Sequence, residues 1–395
     1  MGLVQSVLAT AKPKDANAIR FGILGAANIA PMACTGPLKH LSGGVAHAIA
    51  ARDRTKAQAF AKRHGIPNVF DTYEAVLADP DIDAIFIPLP NGLHAEWAIK
   101  AIKAGKHVLC EKPISSNAAQ AKEIKSALDA YNSSHPQAPL VFSEAFHWKC
   151  HPLAKYIESC LLGNVEGWDV GTVEDVKSNL CLGSWMGVVF PESDIRYNFQ
   201  LAGGSLMDLA YVVSMSRWVN EVDAVRQLME NEAKGKELET VHVEYQQRIL
   251  AATFPVWEKD DRIDVDSTAT LRYPSGSTAT IHCGLNTDGV RLGDASLRIK
   301  GSRGTLSVFN PVLPFLYHTV TFEGTDGKQL STTVYTDKEG KAQTTYFYQM
   351  KAFLDAVQSK KANFHSSGLT CIEDGIMNMK VVDALYENAG MPLRP

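Results

Sequence analysis

The stretch IRFGILGAANIA, residues 19–30, decides how the rest of the chain is read. Ile19 to Leu24 is an apolar run of β type that closes on Gly25, and residues 28–41 suit a helix despite Pro31 and Pro37. A strand that stops at a glycine and opens a helix can hold a dinucleotide, because exposed N–H groups and the positive helix end face an anion. Residues 25–30 are a degraded G-x-G-x-x-G. Gly25 allows the tight turn, Ala27 still lets backbone approach a pyrophosphate, Asn28 and Ile29 open the helix, and Ala30 lets helix and strand pack. Alone the string also fits a plain strand-to-helix turn, so its surroundings carry the argument.

Outward from that turn the pattern repeats. The apolar run 45–51 is followed by TKAQAFAKRHG at helical spacing, ending at Gly65. A short strand at residues 68–70 precedes a helix capped by Thr72. Then come AIFIPLP (84–90), a helix over 94–105, HVLC (107–110), a helix starting after Ser116 or Asn117, and PLVFSEAF (139–146). Strand and helix alternating every ~20–30 residues predicts βαβ units and a doubly wound parallel sheet. Near residue 147 the rhythm changes. After one more helix, HPLAKYIESCLL, strands with period-2 alternation are expected at 268–274, 277–285, 295–302, 304–310, 315–324 and 330–337. Two helices close the chain, TTYFYQMKAFLDAVQS and CIEDGIMNMKVVDALYENAG; residues 165–200 have no assignment. The expected architecture is α/β: a tail at 1–18, a Rossmann domain at 19–146, and a substrate-binding and dimerisation domain at 147–395 with a large, mostly antiparallel open sheet.

Composition bounds the partners. A chain of 395 residues exceeds one ordinary core, and 45% apolar with 21% charged residues is a globular mixture. A net charge of -4 without a basic block argues against nucleic acid and anionic membrane. Seven cysteines lack C-x-x-C or C-x-x-H metal spacing, which predicts free thiols in a reducing, cytoplasmic setting. No apolar run reaches the ~18 residues of a membrane span. Met1 to Ser6 fits the N-myristoylation pattern at Gly2, where a single acyl chain would anchor weakly.

The candidate site residues lie where the parallel strands end, since ligands of open α/β sheets bind outside those carboxyl ends. After the second strand stand Arg52 and Asp53. An arginine fork suits a 2′-phosphate and so NADP, whereas the adjacent acid suits the ribose hydroxyls of NAD; a solvated loop charge is the bland alternative. Pro90, Asn91 and His94 follow the fourth strand, and Glu111-Lys112-Pro113 the fifth. A partly desolvated Lys112 there can exchange a proton with a substrate hydroxyl and stabilise an alkoxide. Out of context it would be a surface lysine paired with Glu111.

These motifs together resemble the glucose–fructose oxidoreductase, inositol dehydrogenase and rhizopine catabolism (Gfo/Idh/MocA) family. The carriers are GILGAANIA, ARDRTKAQAFAKRHGI, IPLPNGLHAEW, AGKHVLCEKP, SEAFHWKCHP and GGSLMDLAYVVSMSRW, with YQMKAFLDAV and NMKVVDALYENAG later. Within the family the chain is similar to the branch holding trans-dihydrobenzenediol dehydrogenases and NADP-dependent D-xylose 1-dehydrogenases. The resemblance implies hydride transfer between NADP (NAD as the alternative) and a carbon of a sugar, polyol or cyclic diol, without a metal. It implies a homodimer formed through the second sheet, and a Lys112–Pro113 bond that is cis. It makes Lys112 the proton-handling group beside the nicotinamide, with Glu111, Asn91 and His94 near the cofactor. Asp208 orients substrate, and Tyr211 shares the proton work. In relatives the aromatic residue follows the aspartate by four places, so either Tyr211 or Val212 fills that slot. His147 and Trp148 line the substrate pocket or simply pack. A non-catalytic dinucleotide-sensing regulator, and a secondary-metabolism reductase acting on a ketone or activated alkene, are the alternative functions.

Overall fold

The computed structural model describes residues 12–182, 190–233, 248–285, 294–360 and 367–395. Gly2 and the first residues of the tail lie outside them.

Six short strands form the first sheet: β1 Ile19–Leu24, β2 Gly44–Ala50, β3 Asn68–Phe70, β4 Ala84–Ile87, β5 His107–Cys110 and β6 Phe142–Glu144. All pairings are parallel, in the order β3-β2-β1-β4-β5-β6. Helices cover both faces, which is why β4 and most of β5 are continuous apolar runs with no polar side. The connecting helices start where a side chain can take up orphan N–H groups. Asp53 accepts from Thr55 and Lys56, Thr72 from Ala75, and Asn117 from Gln120. Gly65, at φ 73°, ends the second of them in the left-handed conformation. The first helix differs from expectation. It opens with a π turn, Pro31–Thr35, before Gly36–His40. Pro37 has no N–H to continue the ladder, and Gly36 N–H reaches back to Pro31 O instead.

The second sheet has eight strands: β7 Val173–Cys181, β8 Arg248–Thr253, β11 Asp266–Arg272, β12 Thr278–Gly284, β13 Ala295–Gly301, β14 Gly304–Phe309, β15 Thr319–Gly324 and β16 Gln329–Thr332. A separate hairpin joins β9 Val256–Trp257 to β10 Asp260–Asp264. The order is β16-β15-β14-β13-β7-β12-β11-β8, antiparallel except for β7 against β12. The helix Tyr211–Ala233 packs on β7 and β12, and the helix Pro152–Leu161 packs against it. The opposite face alternates outward with Glu174, Lys177, Arg298 and Lys300.

Two expected strands are shorter than their patterns. Residues 315–318 curl because His318 bonds Pro314 O (2.8 Å) and takes the N–H of Val334 (2.7 Å), so β15 begins only at Thr319. β16 ends at Thr332 rather than 337.

The last two helices return to the first domain. Thr345–Ser359 lays Phe353 against Phe21 at 5.9 Å, inside the core under β1. Ile372–Asn388 packs on the helix Ala118–Ser134, where Asp383 accepts the N–H of Ala118 (2.8 Å).

Candidate active site

β5 ends in the core, and the chain then turns through Glu111, Lys112 and Pro113 with a cis Lys112–Pro113 bond. The turn is braced from both sides. Glu144, fully buried on the neighbouring strand, accepts Ile114 N–H at 2.8 Å. His94, also fully buried, places Nδ1 2.7 Å from Pro113 O and Nε2 2.7 Å from Leu89 O. Lys112 therefore leaves a rigid edge. Its side chain is 15% exposed, and its Nζ donates to Asp208 O (2.7 Å) and to Asp208 Oδ1 (3.3 Å). Its partner is thus Asp208, across the domain seam, and not Glu111. Burial pushes Glu111 up to about 7, against the pull of the Lys112 charge, and Glu111 Oε1 has no partner among the described residues.

Asp208 closes a single helical turn, Ser205–Asp208, that follows Gly203-Gly204. Gly204 sits at φ 125°, and a Cβ there would lie 2.2 Å from Asp264 Oδ1. Asp264 caps the turn: its Oδ2 accepts from Ser205 Oγ (2.7 Å), Leu206 N–H (2.8 Å) and Ser267 Oγ (2.9 Å). Its Oδ1 accepts from Tyr386 Oη (2.9 Å) and Arg394 Nη2 (2.5 Å). Arg196 donates Nε to Asp208 Oδ2 at 2.7 Å and Nη1 to Asp194 at 3.0 Å. Burial opposes the Asp208 charge, yet Lys112 and Arg196 outweigh it and hold the carboxyl below its ordinary range.

Tyr211 opens the next helix with its ring 5.4 Å from Lys112 Nζ, whereas Val212 is buried in the core. The tyrosine's hydroxyl meets His147 Nε2 at 3.0 Å, and the His147 ring lies 4.0 Å from that of Tyr346. Burial pushes His147 down to about 3, so the ring is neutral. His147 Nδ1 has no partner among the described residues. A buried orphan N–H is rarer than an orphan lone pair, so we assign the proton to Nε2, donating to Tyr211 Oη. The tyrosine's own O–H is then not spent on His147. Burial raises the Tyr211 pKa well above its ordinary value, which keeps that proton in place. Trp148 is turned into the core, edge-on to Trp218 at 5.2 Å. Lys149 pairs with Asp374 at 3.1 Å, and His151 caps its helix by accepting Leu153 N–H.

A cavity of about 460 Å³ runs along the carboxyl ends of β1 to β4, and Ile195, next to the Arg196 that holds Asp208, is part of its wall. Gly25, Ala27, Arg52, Tyr73, Pro90 and Leu93 are among its walls. Gly25 has φ 106°, as the tight turn requires, and the wall carries the cations Arg52 and Lys56 together with Asp53, Asp71, which pairs with Arg54, and Glu74, which pairs with Lys100. The turn, the cations and the apolar flank fit a phosphorylated dinucleotide. Asp53 spends its carboxylate on the helix cap described above. Asn28 faces an adjoining cavity of about 350 Å³ with Lys56, Arg63 and His64, while Ile29 packs toward the core. Asn91 gives Nδ2 to Ala202 O (3.1 Å), a bond between the domains, and His94 has both ring nitrogens taken by backbone. Among the described residues no group of three or more His, Cys, Asp or Glu could hold a metal ion.

Residues 19–134 match the GFO/IDH/MocA oxidoreductase family with its NAD-binding Rossmann fold, and residues 165–307 match the C-terminal domain of the same family. The D-xylose 1-dehydrogenase (NADP(+)) 2 of Haloferax volcanii is 31% identical over 373 residues, covering 93% of this chain and 97% of that protein. The chain belongs to the Gfo/Idh/MocA oxidoreductases. The trans-1,2-dihydrobenzene-1,2-diol dehydrogenase of Xenopus tropicalis is 31% identical over 41% of this chain and 44% of its own length. The fold matches that of KijD10, a 3-ketoreductase from Actinomadura kijaniata solved with NADP and TDP-benzene. The TM-score is 0.73 at 24% identity, covering 94% of this chain and 98% of that one.

Within this Gfo/Idh/MocA site several residues carried no signal in the sequence. Arg196 lies in the unassigned segment 165–200, and nothing local marks it as the partner of Asp208. Lys56 looked like one more helix lysine. Asp264 and Glu144 are acids inside strands, and only their partners disclose what they hold.

Proposed function

We propose that this Gfo/Idh/MocA oxidoreductase uses NADP(H) to interconvert a CH–OH and a carbonyl on a sugar, polyol or cyclic diol. The observation that supports it most is the joining of Lys112, Asp208 and Tyr211 at the edge of the sheet whose strand ends carry the cavity with Arg52 and Lys56 in its wall. When bound, the nicotinamide supplies or accepts the hydride. Lys112 directs the N–H that Asp208 leaves free at the substrate oxygen. Tyr211 O–H, released by the His147 bond, is a second donor to the same point. Two fixed donors in a half-buried site stabilise charge developing on that oxygen. In reduction the ammonium gives its proton to the new hydroxyl, and in oxidation the neutral amine takes it. Asp208, ionised between two cations, fixes the angle of Lys112 and offers an acceptor to a neighbouring hydroxyl of the substrate. Arg52 and Lys56 favour the 2′-phosphate, and Asp53, engaged in its cap, is poorly placed for ribose.

We further propose the division 19–146 and 147–395 as cofactor and substrate domains, and a homodimer through the open face of the second sheet. All seven cysteines are free, which suits a cytoplasmic setting, and among the described residues no helix is long and apolar enough to cross a membrane. The deciding experiment is a panel of aldoses, polyols and dihydrodiols with NADP+ and NAD+, followed at the nicotinamide absorbance, for wild type and Lys112→Met. We expect turnover with NADP+ that Lys112→Met abolishes while NADPH still binds. NADPH binding without turnover on any member would instead favour a dinucleotide-sensing regulator.

A further inference from the structure

The wall of the dinucleotide cavity is not built by the first domain alone. Ile195 and Leu201, from the second domain, face Gly25, Arg52, Tyr73 and Leu89 across it. Ile195 is 43% exposed, an apolar side chain standing in an otherwise largely apolar wall with Pro88, Leu89, Pro90 and Leu93. Both residues sit on one structured segment. Asp194 caps the short turn Ile195–Tyr197, and Asn198 caps the turn Phe199–Leu201. Ala202 then adopts φ 54°, and its carbonyl takes the amide of Asn91 from the first domain. Gly92 lies so close to this segment that a Cβ on it would be 2.9 Å from Gln200 O.

The same segment reaches the chemistry. Arg196, next to Ile195, holds Asp208 through Nε, and its carbonyl accepts Gly204 N–H at 2.9 Å. One short stretch therefore touches the cavity with its apolar side chains and the Asp208–Lys112 pair with its arginine.

We propose that residues 194–201 are a clasp on the bound dinucleotide: Ile195 and Leu201 lie on the cofactor, and Arg196 passes that contact to Asp208 and Lys112. Loading the cofactor buries Ile195 and restrains the segment. Loading the cofactor then stiffens the Arg196–Asp208–Lys112 contacts that the structure already forms. Ile195 and Leu201 are cofactor-contact residues, and Arg196 is a positioning residue that acts through Asp208. The inference rests on reading the cavity as the NADP(H) site.

Two measurements on the full chain test it. The first is NADPH affinity, by nicotinamide fluorescence, for wild type, Ile195→Ala, Ile195→Leu and Leu201→Ala. Trimming a half-exposed isoleucine that becomes covered weakens binding about three- to tenfold, and the leucine variant restores most of it. The second is hydrogen–deuterium exchange with and without NADPH, compared at equal occupancy. Amides of residues 203–208 become protected in wild type and remain less protected in Ile195→Ala. A purely structural role for the segment would change neither the cofactor-induced protection nor its dependence on Ile195. Unchanged affinity in both alanine variants, or protection confined to residues 22–30 and 88–93, would overturn the clasp. Failure of wild type to bind NADPH at all would overturn the cofactor reading itself, and the two results are told apart by the wild-type titration.

Discussion

At the scale of the residue, the site depends on protons being where burial puts them. Tyr211 keeps its O–H because burial raises its pKa, and His147 stays neutral because burial lowers its own to about 3. On the proposed mechanism, Tyr211→Phe removes one of the two donors to the substrate oxygen. We expect kcat to fall about 10²- to 10³-fold with NADPH affinity unchanged; a change in affinity alone would place the hydroxyl on the cofactor rather than the substrate. Glu144 offers a test by pH. Burial raises its pKa from 4.5 to about 8, against the hydrogen bond from Ile114 N–H. Below its unfolded pKa both states hold the proton. Above it the unfolded chain releases the proton and the folded chain does not, so stability falls as pH rises toward 8. The slope is about 1.4 kcal/mol per pH unit while the two states differ by one proton. Glu144→Gln keeps the acceptor for Ile114 and removes the titration. Its melting temperature should match wild type near pH 5 and exceed it at pH 8, and parallel curves for the two proteins would refute the buried acid as the cause.

At the scale of the element, the helical turn Ser205–Asp208 is too short to hold itself. Asp264 does so, and is in turn held by Tyr386 and by Arg394, 130 positions away and fully buried. Asp264→Asn leaves that guanidinium uncompensated in the core, and we expect a loss of ~3–5 kcal/mol in thermal or urea unfolding; a loss under ~1 kcal/mol would mean that the pair contributes little. This network also shows what the chain discloses before it folds. β1, β4 and β5 were legible because strands buried on both faces must be continuous apolar runs. Lys112 was legible because a charge ending such a run needs a reason. β7 was not: VEDVKSNLC places Glu174, Asp175 and Lys177 on an open sheet face, so the strand at the centre of the second sheet reads as a polar loop. β10, DDRID, is short and rich in charge for the same reason, and β9 has only two residues. Asp264, Arg394 and Arg196 were illegible because their roles are tertiary contacts, which no local period encodes. His94 reads from sequence as a candidate near the nicotinamide, and its geometry shows a brace between two turns.

At the scale of the molecule, the two sheets are joined by more than a linker. Thr345–Ser359 crosses from the second sheet to put Phe353 under β1, Asn117 gives its side-chain amide to Arg394 O at 2.9 Å, and Lys112 meets Asp208 over the seam. A chain interlocked in this way should melt as one unit, because removing either sheet exposes core of the other. Two substitutions separate the seam's part in stability from its part in function. Phe353→Ala deletes a fully buried ring far from Lys112 in sequence. It should cost ~3–5 kcal/mol, lower a single calorimetric transition as a whole, and leave the KM for NADP near that of wild type at permissive temperature. Gly92→Ala acts where backbone meets backbone, 2.9 Å from Gln200 O and 3.0 Å from Leu201. Neither chain can yield by turning a side chain, so the seam itself must open. Because that seam carries Asn91, Ala202 and through them the Asp208 turn, Gly92→Ala should raise the KM for NADP and lower kcat together while the transition shifts less than in Phe353→Ala. Two resolved transitions in wild type, or a Gly92→Ala enzyme with unaltered kinetics, would mean that the domains meet without depending on each other.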